Sequence, residues 1–135
     1  MIKRLCIPRP LYAEMLAHLQ GAYPLEACGL MAGEGEWIRN LYPVDNILAS
    51  PTAYEMDPHQ QVQAMLALEE KGWELAAIYH SHPQGPEVPS LADVGRAYYP
   101  QASYIIVSLQ ERARPTARAF AIVEGRVYEI PLEIV

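Results

Sequence analysis

Only two cysteines occur among the 135 residues, Cys6 and Cys28, and they form no C-x-x-C pair. That pattern excludes a thiolate-rich zinc framework and a dithiol redox site. Nothing at the N-terminus reads as a secretory leader, because MIKRLCIPRPLY has basic residues but no apolar segment of the required length. Reduced thiols and a cytoplasmic location are therefore expected. No apolar run approaches the roughly 20 residues of a membrane helix. Basic residues are the minority, 10 against 16 acidic, for a net charge of -6. This balance argues against a nucleic-acid-binding face and against attachment to an acidic membrane surface. The one local basic group, Arg112, Arg114 and Arg118, reads as solvated strand or loop charge. Repeats, low-complexity tracts and linkers are missing too, and the 12 prolines are spread as punctuation.

What the chain does have is a hydrophobic content of 51%. That suffices for one domain over residues 1–135, burying roughly two thirds of the surface of the unfolded chain. The hydrophobic spacing predicts a strand over 2–7, then a helix over 10–20 that Gly21 ends. Residues 27–33 and 36–44 read as strands of a hairpin turning at Gly33-Glu34-Gly35, and 52–56 as a further short strand. Asp57-Pro58 suits a helix start, and that helix is expected to run to about Lys71. A buried strand over 74–80 leads into His80-Ser81-His82-Pro83, and Ser90 opens a short helix. Strands are expected at 103–109, 116–123 and 126–134. The order predicts a mixed α/β (α+β) domain with helices flanking a central mixed sheet.

The chemistry lies in His80-x-His82-Pro83, Ser90 and Asp93. Histidines at i and i+2 on a strand point to the same face, with Cα atoms roughly 6.5 Å apart. Two such imidazoles can converge on one ion, and Asp93 can add a carboxylate. Two His and one carboxylate form a catalytic zinc set with a free position for water, although the same set suits ferrous iron. Ser90-x-x-Asp93 is also a helix capping box, a purely structural signal. His18 and His59 have no comparable company and read as ordinary residues. With this composition the full pattern H-x-H-P-x(6)-S-x(2)-D arises by chance on the order of once in a hundred thousand such chains. A hydrolytic site also needs a base. Without an H-E-x-x-H motif, that base must come from elsewhere: Glu26 stands between apolar neighbours, and Glu14, Glu55, Glu74 and Glu87 are alternatives.

Glu26 followed by His80, Ser81, His82, Pro83, Ser90 and Asp93 resembles the signature of the JAMM (MPN+) metalloproteases. The supporting stretches P-L-E-A-C-G-L-M-A-G, Pro43-Val44-Asp45-Asn46 and Tyr54-Glu55-Met56-Asp57-Pro58 are similar too, and the likeness covers about residues 5 to 130. It implies one zinc ion on His80, His82 and Asp93, with Glu26 deprotonating the catalytic water and Ser90 hydrogen-bonding the oxyanion. It implies a cytidine-deaminase-like sandwich fold. It also implies a compact prokaryotic isopeptidase or peptidase acting after the Gly-Gly tail of a ubiquitin-like or sulfur-carrier protein, and it allows a homodimer. The competing reading is a non-catalytic MPN scaffold that serves as an interaction module. A nucleobase deaminase of similar fold would need a Pro-Cys-x-x-Cys pair, which the sequence lacks.

Overall fold

The computed structural model describes residues 4–135. Eight strands among them form one mixed sheet, in the order β7-β6-β5-β4-β2-β3-β1-β8. In chain order the elements are β1 (Leu5–Ile7), α1 (Arg9–Ala22), β2 (Cys28–Glu34), β3 (Trp37–Val44), α2 (Pro58–Glu70), β4 (Glu74–His82), α3 (Leu91–Gly95), β5 (Ser103–Ser108), β6 (Thr116–Val123), β7 (Arg126–Ile130) and β8 (Leu132–Ile134). The strands β2, β3, β4 and β5 pair antiparallel except for β4 with β5, which is parallel. A parallel neighbour requires a crossover, and the 83–102 segment containing α3 supplies it.

The sheet has an apolar layer on each face. Met15 and Leu19 of α1 pack with Ile7, Met31, Ile38, Tyr79 and Ile105 on one side. Ala64 of α2 packs with Leu30, Ile78, Tyr104, Ile106 and Phe120 on the other. Helices on both faces of a mixed sheet are the sandwich that the element order predicts. The central strand β4 is buried at all positions but its first. Its side chains alternate between the layers, and this parity later decides where the histidines point.

Local signals placed the helices well. Asp57 caps α2 by accepting from Gln60 N at 3.0 Å, and Pro58 occupies the first turn. Gly21 does not end α1, which runs on to Ala22 before Tyr23 and Pro24. The hairpin turns at Gly35, whose φ is +58°, while Gly33 stays within β2. The expected strand over 52–56 is not a strand. Only Met56 bridges to Asn46, and side chains take other backbone groups of the segment: Asn46 Oδ1 accepts from Glu55 N, Asn46 Nδ2 donates to Ala53 O, and Ser50 Oγ accepts from Thr52 N. The expected strand over 126–134 breaks at Pro131, which cannot donate to a ladder. Its first half pairs with β6. Its second half pairs with β1 at the opposite edge of the sheet. Of the first expected strand, residues 2 and 3 lie outside the described residues. Strand β4 runs two residues past the expected end, so both histidines belong to the sheet.

Both thiols are free and buried. The three arginines of the basic group have separate surface partners: Arg112 bonds Gln20, Arg114 pairs with Glu111, and Arg118 pairs with Glu129. No helix among the described residues is long and apolar enough to cross a membrane. His18 is a satisfied residue. Burial pulls its pKa down, and its Nδ1 shares a hydrogen bond with the Tyr79 hydroxyl at 2.7 Å. The Tyr79 ring lies directly over Gly29, where an added Cβ would sit 2.3–2.4 Å from ring atoms. Gly29→Ala is therefore expected to cost about 3 kcal/mol, the upper end for overpacking. A thermal melt checks this, and an unshifted midpoint would mean that the ring can move aside.

Candidate metal centre

The parity of β4 directs His80 and His82 to the α2/α3 face of the sheet. Asp93, in the first turn of α3, meets them there. His80 Nε2 lies 3.1 Å from His82 Nε2. Asp93 Oδ1 lies 3.2 Å from His80 Nε2, and its Oδ2 lies 3.0 Å from His82 Nε2. Three potential ligand atoms thus converge in a largely buried position, His80 being 1% and His82 8% exposed.

Each of the three candidate ligands is held by a different device. The capping box of α3 holds Asp93: Ser90 N donates to Asp93 Oδ2 at 2.8 Å, and Asp93 N donates to Ser90 Oγ at 3.1 Å. The structural and ligand readings of Ser90-x-x-Asp93 are therefore compatible, because the box aims the carboxylate. His82 Nδ1 lies 2.8 Å from the Pro86 carbonyl. A carbonyl only accepts, so Nδ1 carries a proton, and when His82 is neutral its lone pair is at Nε2, the form that can bind a metal. His80 Nδ1 is buried with no hydrogen-bond partner among the described residues. Its ring is set by stacking on Tyr54, with centroids 4.5 Å apart and planes 32° apart.

The donor set fits a metal ion. Two imidazole lone pairs and a carboxylate, all about 3 Å apart, repel one another unless a cation lies between them. A tetrahedral ion with bonds of about 2.0–2.1 Å would space its ligand atoms about 3.4 Å apart, close to the separations seen here. Without an ion, protons on the Nε2 atoms can bridge to the carboxylate instead. Burial alone would favour uncharged Asp93, but hydrogen bonds from His80 and His82 hold its carboxyl well below the usual range. Burial opposes a charge on His82 as well, yet Asp93 and the Pro86 carbonyl raise its pKa. Fully buried His80 is lowered.

Glu26 completes the group. Cys28 pairs with His80 across β2 and β4. Beyond that pair Ser81 N donates to Ala27 O at 3.1 Å, and the Ser81 hydroxyl replaces the next ladder carbonyl by accepting Ala27 N at 3.0 Å. Glu26 follows one residue further, close enough to His82 and Asp93 for both charges to act on its carboxyl. Its backbone is pinned by Glu26 N donating to Ser50 O at 2.9 Å and by Asn46 Nδ2 donating to Glu26 O at 3.0 Å. Glu26 is 6% exposed. Burial pushes its pKa up to about 7, His82 pulls it down and Asp93 adds to the rise.

The other acidic candidates fall away by position. Glu14 lies on α1, beyond the opposite face of the sheet. Glu74 begins β4, eight residues before His82, or roughly 26 Å along the strand. Glu87 accepts from Thr116 Oγ1 at 2.9 Å, and Glu55 is exposed. His59 is exposed as well, at the start of α2. Sequence spacing did not single out Tyr54 as a site residue, nor the Pro86 carbonyl. No local periodicity signals either contact, although Tyr54 lies in a stretch that the family resemblance includes.

The fold and this geometry define a class: a mixed sheet sandwiched by helices, with a His-His-Asp group between the end of a central strand and the start of a helix. Residues 8–123 match the family of prokaryotic homologs of the JAB domain, and the chain belongs to that family. It is 37% identical over 133 residues to the CysO-cysteine peptidase of Mycobacterium tuberculosis, covering 97% of this chain and 91% of that one. It is 41% identical over 123 residues to a probable TtuB-protein conjugate cleaving protease of Thermus thermophilus, covering 90% and 78% of the two chains. Among solved structures, a protein of Desulfitobacterium hafniense matches with a TM-score of 0.88 at 36% identity, over 97% of this chain and 92% of that one.

Proposed function

We propose that the protein is a zinc-dependent peptidase or isopeptidase. It hydrolyses the bond after the C-terminal Gly-Gly of a ubiquitin-like or sulfur-carrier protein. The observation that carries this reading is the buried Glu26, whose carboxyl feels both His82 and Asp93 of the converging His80-His82-Asp93 group. Relatives that span nearly the whole chain are named for cleaving CysO-cysteine and TtuB conjugates, which supports a protein substrate with a small carrier. Two exposed apolar patches support docking of such a carrier. Leu91 of α3 is 93% exposed and Tyr98, shortly after α3, is 75% exposed. Ile47 and Leu48 stand exposed on the loop that pins Glu26. A Gly-Gly segment suits a buried site because no side chain obstructs the approach of its backbone.

Zinc held by His80, His82 and Asp93 would supply Lewis acidity to the scissile carbonyl and acidify a water molecule. Glu26 takes the proton of the attacking water and delivers it to the leaving amine. A carboxylate with a pKa near 7 is well matched to both transfers at neutral pH. The Ser90 oxygen accepts the Asp93 amide, which leaves the hydroxyl proton free to donate to the carbonyl oxygen as charge develops. The Tyr54 ring holds His80, and the Pro86 carbonyl holds His82.

Ser90→Ala is expected to lower kcat by about 10²–10³ through loss of that donor. Loss of the cap would cost about 1 kcal/mol in addition. An unchanged kcat would confine Ser90 to capping. For the function as a whole, the decisive experiment is metal analysis beside hydrolysis of a ubiquitin-like protein extended past its Gly-Gly, with and without chelator. Stoichiometric zinc and chelator-sensitive cleavage are expected. Metal without cleavage would point to a different substrate or a missing activator, no metal at all would favour the scaffold reading, and iron in place of zinc would correct the cofactor.

A further inference from the structure

Three successive carbonyls in the loop after β4 are each captured by a side chain. Gln110 Nε2 donates to Gln84 O at 2.9 Å, Ser108 Oγ donates to Gly85 O at 2.7 Å, and His82 Nδ1 donates to Pro86 O at 2.8 Å. Two of these donors come from the end of β5 and the chain just beyond it. The parallel register of β4 and β5 sets Ser108 beside His82, and Leu109 N donates to His82 O at 3.1 Å. Ser108 is 4% exposed. Its oxygen accepts from Gln110 N at 3.3 Å, so its single proton is committed to Gly85.

The arrangement bears on which nitrogen of His82 carries its proton. With the proton on Nδ1, the Nε2 lone pair faces His80 and Asp93, which is the ligand form. With the proton on Nε2, Asp93 Oδ2 at 3.0 Å would accept it and close the site. The Pro86 carbonyl and Asp93 therefore compete for that proton. The aim of the Pro86 carbonyl depends on the Gly85–Pro86 peptide plane, which Ser108 grips. Pro86 has its φ locked near about -65°, so only one soft torsion separates that grip from the carbonyl. A buried hydroxyl thus sets the tautomer and orientation of a ligand it does not touch.

We propose that Ser108, assisted by Gln110, is a positioning residue for metal capture: it holds the Gly85–Pro86 peptide so that His82 is offered to the ion as a lone pair at Nε2. This rests on the metal-centre reading above. The test is metal affinity by competition with a chromophoric chelator, together with the visible spectrum of the cobalt-loaded protein. The proteins compared are the wild type, S108A, S108T, Q110A and H82A, with thermal melts of their metal-free forms. S108A is expected to weaken metal binding by about tenfold, the lower end for outer-shell partners, and to alter the cobalt spectrum. Q110A should shift both in the same direction by less, and S108T, which keeps the hydroxyl, should restore both. Wild-type affinity and spectrum in S108A would overturn the proposal. So would a loss in S108A that melting accounts for with the spectrum unchanged. A wild type that binds no metal, or an H82A that binds as tightly as the wild type, would instead sink the metal-centre reading itself.

Discussion

Glu26→Gln is expected to retain the full metal content while kcat falls by about 10³–10⁴, the upper range for general acid–base catalysis. The substitution keeps the shape of the side chain and its place near His82 and Asp93, and it removes only the ability to take and return a proton. Metal analysis beside a turnover assay on a Gly-Gly extension checks both halves. A Glu26→Gln enzyme running at wild-type rate would move the base elsewhere. The same variant has a pH signature in the metal-free protein. Burial raises the Glu26 carboxyl from 4.5 to about 7, so the folded state holds this proton to higher pH than the unfolded state. The associated stability is fully present below pH 4.5 and is lost as pH rises through 7. Glutamine cannot titrate, so Glu26→Gln should flatten the decline over that window by about 1–3 kcal/mol. Denaturant unfolding at several pH values reads the difference, and parallel curves for the two proteins would show that Glu26 is not desolvated.

His82→Ala is expected to abolish both stoichiometric metal binding and hydrolysis. Outer-shell partners already cost about 10–100-fold in affinity, and removing a ligand from a three-residue set should cost more. Competition with a chromophoric chelator measures it. The loss must be specific: the metal-free variant should stay folded, because His82 lies at the end of β4 and the two sheet layers pack along the rest of that strand. An unfolded metal-free variant would leave Asp93→Asn as the cleaner probe. It keeps the volume and an oxygen for the Ser90 contact while replacing the carboxylate with a neutral amide. Metal bound by His82→Ala with wild-type affinity would place the centre elsewhere.

Much of the site was legible because it is encoded over short distances. Two histidines at i and i+2 share a face whenever the segment is a strand. Ser90 and Asp93 form a capping box on any helix that starts there. Both signals depend on local backbone geometry, and so do the Asp57-Pro58 start of α2 and the Gly35 turn. The family signature added Glu26 by resemblance.

Tertiary structure alone decided the remainder. Singling out Glu26 from Glu14, Glu55, Glu74 and Glu87 on physical grounds required the antiparallel register of β2 and β4, which joins residues more than fifty positions apart. It also required the burial that lifts its pKa, which no spacing encodes. The 52–56 segment had the composition of a strand, but the Asn46 side chain captured its backbone groups. Pro131 divided one apparent strand between opposite edges of the sheet because the pairing partners, β6 and β1, lie far apart in sequence. The candidate ligand residues and their shared faces were thus set by the sequence through backbone periods of two and about 3.6 residues. The candidate base, the ring stacked on His80 and the clamped carbonyl behind His82 were set by non-local pairing and desolvation, which exist only once the chain has folded.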